Sequence, residues 1–202
     1  VERVVQENYD LSDRIKISSE NPGYSKDYWN SMAELGWLGL AFDEEDGGFG
    51  GNQIDTLVLM EQFGKGLVLE PFLANIVLAG GAIKRGASKA LKESIIPKLI
   101  EGNLQLTLAY AEEQSRFDIE DVATAAREDA GNFIINGKKS MVLNAESADK
   151  VVVVTRTSGS QVDINGISLF SSTFIPAIGS SNRIIDESVA RARPNSTFFC
   201  NP

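Results

Sequence analysis

GNLQLTLAYAEEQSRFDIEDVATAAREDAGNFIINGKKSMVLN, from Gly102 to Asn144, is where the hydrophobic pattern of this chain passes from helical to strand period. Upstream of it, apolar residues recur at helical spacing: Tyr28, Met32 and Leu35 in one segment, Ile54, Leu57 and Val58 in a second, Leu91, Ile95 and Ile96 in a third. Such stripes are expected to face a core. From Leu104 onward, short β-rich runs alternate with turn signals. The strongest signal is Asn136-Gly137, between GNFIIN and KKSMVLN, which predicts a hairpin at that point. Helices followed by strands predict an α+β fold with segregated parts, and they disfavour an alternating Rossmann sheet. The expected organisation is a helical domain over 1–103, a small antiparallel β-barrel or sandwich over 104–170, and a tail over 171–202. That tail is rich in Ser, Pro and Asn and lacks a sustained amphipathic period.

Composition removes several classes of function. The chain has 202 residues, 43% of them hydrophobic, enough to bury a substantial core in one or two domains. It contains no histidine, which removes Ser-His-Asp chemistry, the HExxH zinc motif and nearly all catalytic zinc constellations. A single cysteine, Cys200, has no imidazole to serve as its base and no partner for an internal disulfide. The net charge of −9 and the lack of a clustered basic stripe argue against a nucleic-acid partner. No apolar run approaches the roughly 18 residues of a membrane span, and no signal peptide is visible at the start. A cytoplasmic protein with no membrane partner is the expectation.

Three glycine-containing motifs have structural readings. In GNFIINGKKS, Gly131 and Gly137 are six apart where a P-loop needs five, so the hairpin reading is preferred. DEEDGG, from Asp43 to Gly48, lacks the alternating oxygen ligands and terminal glutamate of an EF-hand loop and reads as a solvated turn. The glycines of GGFGG can supply the positive φ angles that join two helices sharply. Gly80-Gly81, inside the helical segment FLANIVLAGGAIKRG, admits either close helix packing or, with Ala79, room for a ligand between helices. Pro97 is expected to end one helix near Ile96 and begin a short turn through Ile100.

Four segments in order carry a resemblance. LGWLGLAFDEEDGGFGG (Leu35–Gly51), IIPKLIEGNLQLTLAYAEEQSRFD (Ile95–Asp118), GNFIINGKKSMVLNAESADKVVVVTRT and the opening VERVVQENYDLSDRIK together resemble the acyl-CoA dehydrogenase family of flavoproteins, from about Val1 to Phe170. The resemblance implies FAD as cofactor, an acyl-CoA substrate, α,β-desaturation of its thioester in fatty acid metabolism, an electron-transfer flavoprotein or similar acceptor, and a homo- or hetero-oligomer. In the family, a strand and loop close to ALTEP followed by GSD face the flavin. Aligned on Glu112 and Asp118, this chain has Tyr110 and Ala111 for Leu-Thr, Glu113 for proline, and Arg116-Phe117 for Gly-Ser. Leu108, Tyr110, Ala111, Arg116 and Phe117 are therefore candidate cofactor-binding residues, with backbone groups replacing the lost hydroxyls.

Met141, Val142 and Leu143 resemble the second flavin motif, although Leu143 lacks the hydroxyl that usually lies near flavin N5. Losing such a hydrogen bond costs about 0.5–1.5 kcal/mol, which weakens binding without excluding the cofactor. The loop AEEQSRFD is similar to that of the small-subunit type of pimeloyl-CoA dehydrogenase. Arg116 then has two readings, a bidentate contact to a phosphate or carboxylate, or a surface salt bridge with Asp118 or Glu120. The family's catalytic glutamate is expected beyond residue 202, since Glu112 and Glu113 fall on the flavin-facing loop. The first helix is expected to be incomplete, and the change of character near Ser171 suggests a truncated or frame-shifted product. The alternatives are a non-catalytic subunit of a heteromeric enzyme and an unrelated α+β binding module.

Overall fold

A computed structural model describes residues 1–8, 10–129, 132–173, 182–185 and 189–190. Much of the expected tail over 171–202 lies outside these residues. The chain opens with α1 (Glu2–Asn8), α2 (Leu11–Ser19) and α3 (Lys26–Glu34). Ser25 caps α3 by accepting from the Tyr28 amide at 3.2 Å, so the stripe of Tyr28, Trp29 and Met32 turns inward. Leu35 does not extend that stripe. The helix has ended, and Leu35 is half exposed as its C-cap.

The loop from Gly36 to Asn52 folds back over Phe42. Gly47 adopts a φ of +89°, as expected for a turn glycine, and Asp43 accepts a 2.8 Å ion pair from Lys84. Asn52 and Asp55 then form a capping box that starts α4 (Gln53–Lys65). Here the expected core face is wrong. Ile54, Leu57 and Val58 are all more than half exposed, whereas Leu59 and Phe63 are buried. The helix is apolar on two sides, and the i, i+4 pair Leu59/Phe63 is the one that packs, with the Phe63 ring 5.2 Å from that of Phe72.

A π-helical segment, Leu73–Gly80, runs directly into α5 (Gly81–Gly86). A Cβ at Gly80 would lie 2.8 Å from Cζ of Phe42, so close packing accounts for this glycine and the aromatic ring fills the space beside it. The next helix, α6 (Lys89–Ile100), does not stop before Pro97. Ile95, Ile96 and Leu99 are buried on either side of the proline, and their packing outweighs the roughly 3 kcal/mol that an interior proline costs.

The strands are β1 (Leu106–Ala109), β2 (Ala125–Asp129), β3 (Asn132–Asn136), β4 (Lys150–Arg156), β5 (Ile167–Thr173), β6 (Asn182–Ile185) and β7 (Val189–Ala190). Their order is β6-β3-β2-β4-β5-β7, with β1 pairing β4 off this path. The α+β class holds, but the second part is a mixed sheet and not a closed antiparallel barrel. β1 and β4 run parallel with Leu106 opposite Lys150, and β2 meets β4 in parallel through Ala125 and Arg156.

The hairpin also lies elsewhere than expected. β3 pairs antiparallel with β2, Asp129 opposite Asn132, and residues 138–143 form no strand. Gly137 serves close approach, since a Cβ there would stand 2.6 Å from Cα of Thr124. Gly137→Ala is expected to destabilise the chain by about 1–3 kcal/mol, measured by urea unfolding.

One core spans both parts. Met32, Leu38, Ile76, Ile83, Ile96 and Leu99 from the helical segments and Phe42 from the loop cluster with Leu104, just before β1, and with Leu106, Val152 and Leu169 from the sheet. A small second cluster of Ala126, Ile135 and Phe170 includes the Phe133 ring, 4.9 Å from that of Phe170. Asn75, fully buried in the π-helical segment, joins the parts with polar bonds. Its Nδ2 donates to the Leu104 carbonyl and Gln105 Oε1, each at 3.0 Å, and its Oδ1 accepts from the Leu106 amide at 3.0 Å.

Candidate flavin-facing site

The end of β1 leads into Tyr110-Ala111-Glu112, and this segment lies against Lys139-Ser140. The Ser140 amide donates to the Ala111 carbonyl at 2.9 Å, and Lys139 Nζ donates to the Tyr110 carbonyl at 3.2 Å. At the other end of the same contact, Thr107 Oγ1 donates to the Leu143 carbonyl at 2.6 Å. The two candidate segments, 108–111 and 141–143, are thereby held side by side although 30 residues separate Ala111 from Met141.

Met141 adopts a φ of +50° and is 85% exposed, while Tyr110 and Leu143 are each nearly half exposed. Three apolar side chains therefore surround a strand end whose Tyr110 and Ala111 carbonyls are already engaged. Arg116 and Phe117 are not brought to this surface. Arg116 is exposed with a φ of +51°, and Phe117 is 99% exposed and touches almost nothing. The salt bridge from Arg116 to Asp118 or Glu120 is not formed among the described residues. Asp118 Oδ1 instead accepts from the Glu120 amide at 3.0 Å.

Glu112 is committed to structure. Its carboxylate accepts from Lys139 Nζ at 2.6 Å, Gln114 Nε2 at 2.6 Å, the Ala123 amide at 2.8 Å and the Thr124 amide at 3.0 Å. Burial pushes its carboxyl pKa up, but the hydrogen bonds from Lys139, Thr124, Gln114 and the Ala123 amide outweigh burial and hold it down at about 2. With its acceptor sites occupied, Glu112 cannot serve as a base. Glu113, exposed, pairs with Lys138 at 3.0 Å.

Burial lowers the Lys139 pKa, against the hydrogen bond and charge of Glu112 that raise it. Because the Glu112 pKa is depressed on folding, its stabilising contribution is complete above its ordinary value of 4.5 and is lost as pH falls toward about 2. The unsubstituted chain is therefore expected to be more stable than Glu112→Gln at pH 7, with the gap closing between pH 4.5 and 2 in denaturant titrations.

Sequence reasoning singled out neither Lys139 nor Arg156. The signal for Lys139 was the doublet Lys138-Lys139 downstream of Glu112-Glu113, whose outer members, Glu112 and Lys139, form the buried pair. Arg156, buried at the end of β4, gave no signal of this kind. Its guanidinium donates to the carbonyls of Val122 (3.1 Å), Glu120 (3.0 Å), Gln161 (2.7 Å), Asp163 (2.5 Å) and Ser158 (3.4 Å).

Residues 1–103 match the family model of the acyl-CoA dehydrogenase N-terminal domain, and residues 107–189 match that of the acyl-CoA dehydrogenase middle domain. The chain belongs to the acyl-CoA dehydrogenase family. It is similar to (2S)-methylsuccinyl-CoA dehydrogenase of Cereibacter sphaeroides, 26% identical over 72% of this chain and 27% of that protein. It is also similar to mitochondrial isovaleryl-CoA dehydrogenase of Arabidopsis thaliana, 30% identical over 70% of this chain and 35% of that protein.

Among solved structures, the FAD complex of PigA superposes with a TM-score of 0.76 at 21% identity, over 95% of this chain and 54% of that one. The ChsE4-ChsE5 complex from Mycobacterium tuberculosis gives 0.73 at 20% identity, over 85% and 44%. These two share the fold. The chain spans about a third of the length of the curated relatives it matches. Among its described residues no helix is long and apolar enough to cross a membrane, and no group of three or more His, Cys, Asp or Glu is arranged to hold a metal ion.

Proposed function

We propose that this chain supplies the flavin-facing part of an FAD-dependent acyl-CoA dehydrogenase. The observation that carries the proposal is the hydrogen-bonded register of Tyr110-Ala111 against Lys139-Ser140, which sets two family flavin segments together at one exposed, partly apolar strand end. The residues there fit the cofactor. An isoalloxazine ring needs apolar cover and main-chain donors, which Tyr110, Met141, Val142 and Leu143 offer together with the Ala111 backbone; Leu108 lies on the strand that carries them. Arg116, an exposed cation on the adjoining turn, suits an anionic group of the cofactor or substrate.

When bound, FAD supplies the acceptor for the hydride that leaves the β-carbon of the acyl thioester. This chain's residues would orient the ring and shield one side of it from water. The α-proton needs a carboxylate, and neither glutamate of the flavin-facing loop is free to take it, because Glu112 is fully hydrogen-bonded and Glu113 is paired at the surface. On this reading the base comes from outside the described residues. An acyl-CoA substrate, an electron-transfer flavoprotein or similar acceptor, and a homo- or hetero-oligomeric assembly belong to the same proposal.

A second reading, a non-catalytic subunit of a heteromeric acyl-CoA dehydrogenase, is favoured by two observations. Leu143 stands where the family pattern has a hydroxyl, and Phe117 projects unsupported. The visible spectrum of the purified chain, with and without added FAD and after dialysis, separates the two. Retained flavin absorbance supports the cofactor-binding reading. A colourless protein that associates with a flavin-bearing acyl-CoA dehydrogenase chain supports the second.

A further inference from the structure

We propose that the buried Lys139–Glu112 ion pair is the positioning device of the flavin site, fixing the backbone on which Tyr110, Ala111 and Met141 are presented; this rests on the FAD reading above. The pair is 2.6 Å long, with side chains only 8% and 2% exposed. One residue after Glu112 and one before Lys139, Glu113 and Lys138 form a second pair at 3.0 Å, with side chains 79% and 80% exposed. Two chemically identical pairs thus connect the same two segments, one inside and one in solvent. An exposed pair contributes little, whereas breaking a buried one leaves an uncompensated charge in a poorly solvated place.

The buried pair reaches three segments. Lys139 Nζ also holds the Tyr110 carbonyl at 3.2 Å, and the Glu112 carboxylate also holds the amides of Ala123 and Thr124 at 2.8 and 3.0 Å. Next to it, the Ser140 amide meets the Ala111 carbonyl at 2.9 Å. Met141 follows immediately in the left-handed region and is mostly exposed, so its placement depends on the backbone behind it. The remote end of the site has separate anchors, the Thr107 hydroxyl on the Leu143 carbonyl and the β1–β4 ladder. Loss of the ion pair should therefore disturb the near end of the site more than the fold.

The test compares FAD binding, by flavin absorbance and fluorescence, for the 202-residue chain and four variants, with far-UV circular dichroism of each. Lys139→Met and Glu112→Gln are expected to weaken FAD binding by about tenfold or more, equivalent to ~1.4 kcal/mol, and to shift the bound flavin band while the dichroism stays native. Lys139→Arg is expected to restore most of the affinity, and Lys138→Met to bind like the unsubstituted chain. Native affinity and spectrum in a folded Lys139→Met chain would overturn the proposal. So would loss of native dichroism in both Lys139→Met and Glu112→Gln, because the pair would then be holding the fold and not the site. Failure of the unsubstituted chain to bind FAD rejects the cofactor reading itself, a result distinct from equal binding by all chains.

Discussion

Asn75→Ala is expected to lower the unfolding free energy by about 3–5 kcal/mol, because it strands three buried partners at once. The Asn75 side chain is fully buried, and each of its three hydrogen bonds is 3.0 Å long. Its donors satisfy the Leu104 carbonyl and Gln105 Oε1, and its acceptor satisfies the Leu106 amide at the first residue of β1. All three partners belong to buried residues, and each buried group left unpaired costs about 1–3 kcal/mol. Asn75→Asp keeps the acceptor and loses both donors while placing a carboxylate in the core, so it should be at least as damaging. Urea unfolding of the three chains measures this, with Asn103→Ala as a surface control expected within about 0.5 kcal/mol of the parent. A loss below 1 kcal/mol for Asn75→Ala would mean that the junction re-forms its bonds without the side chain.

Arg156→Ala should cost about 3–4 kcal/mol for a different reason. Among the described residues the buried guanidinium meets five main-chain carbonyls and no carboxylate. Through them it ties residues 120–122 to the 158–163 loop, where the Val122 amide also donates to the Gln161 carbonyl at 3.0 Å. A lysine has too few donors and no planar fork, so Arg156→Lys should recover only part of the loss. Because none of the five acceptors titrates, the difference between parent and Arg156→Ala is expected to be the same at pH 5 and pH 8 in denaturant titrations. A difference that grows or shrinks across that range would point to a carboxylate partner. Faster cleavage within residues 158–163 on limited proteolysis is the accompanying signature.

The two predictions rest on residues that pattern reading passed over, while the α+β class, the helices and the strand-rich second part were legible. Hydrophobic period reveals that a helix has an apolar face, and it located Met32, Leu91, Ile95 and Ile96 correctly in the core. It failed on α4, where apolar residues occupy two faces and only tertiary contact selects Leu59 and Phe63 over Ile54, Leu57 and Val58. The Asn136-Gly137 signal failed because a glycine has two uses. Turn chemistry was read, but close approach to Thr124 is what this position needs. Pro97 shows local propensity yielding to packing on both sides of the ring.

At the candidate site, the sequence brought out both segments because each carries a family word. Their mutual register was not legible, since it depends on Lys139 reaching back 27 residues to Glu112. The same holds for Asn75 and Arg156, single polar residues whose partners are main-chain atoms far along the chain. Buried polar groups of this kind carry no period, and only the fold shows what they satisfy.

Leu104, Leu106, Val152 and Leu169 lie in one cluster with Met32, Phe42 and Ile96, so the helical and sheet parts share their interior. Heat should then find no seam between them. A scanning calorimeter would record one endotherm whose van't Hoff and calorimetric enthalpies agree, and a chain cut near residue 103 would yield two fragments that acquire native structure only when mixed.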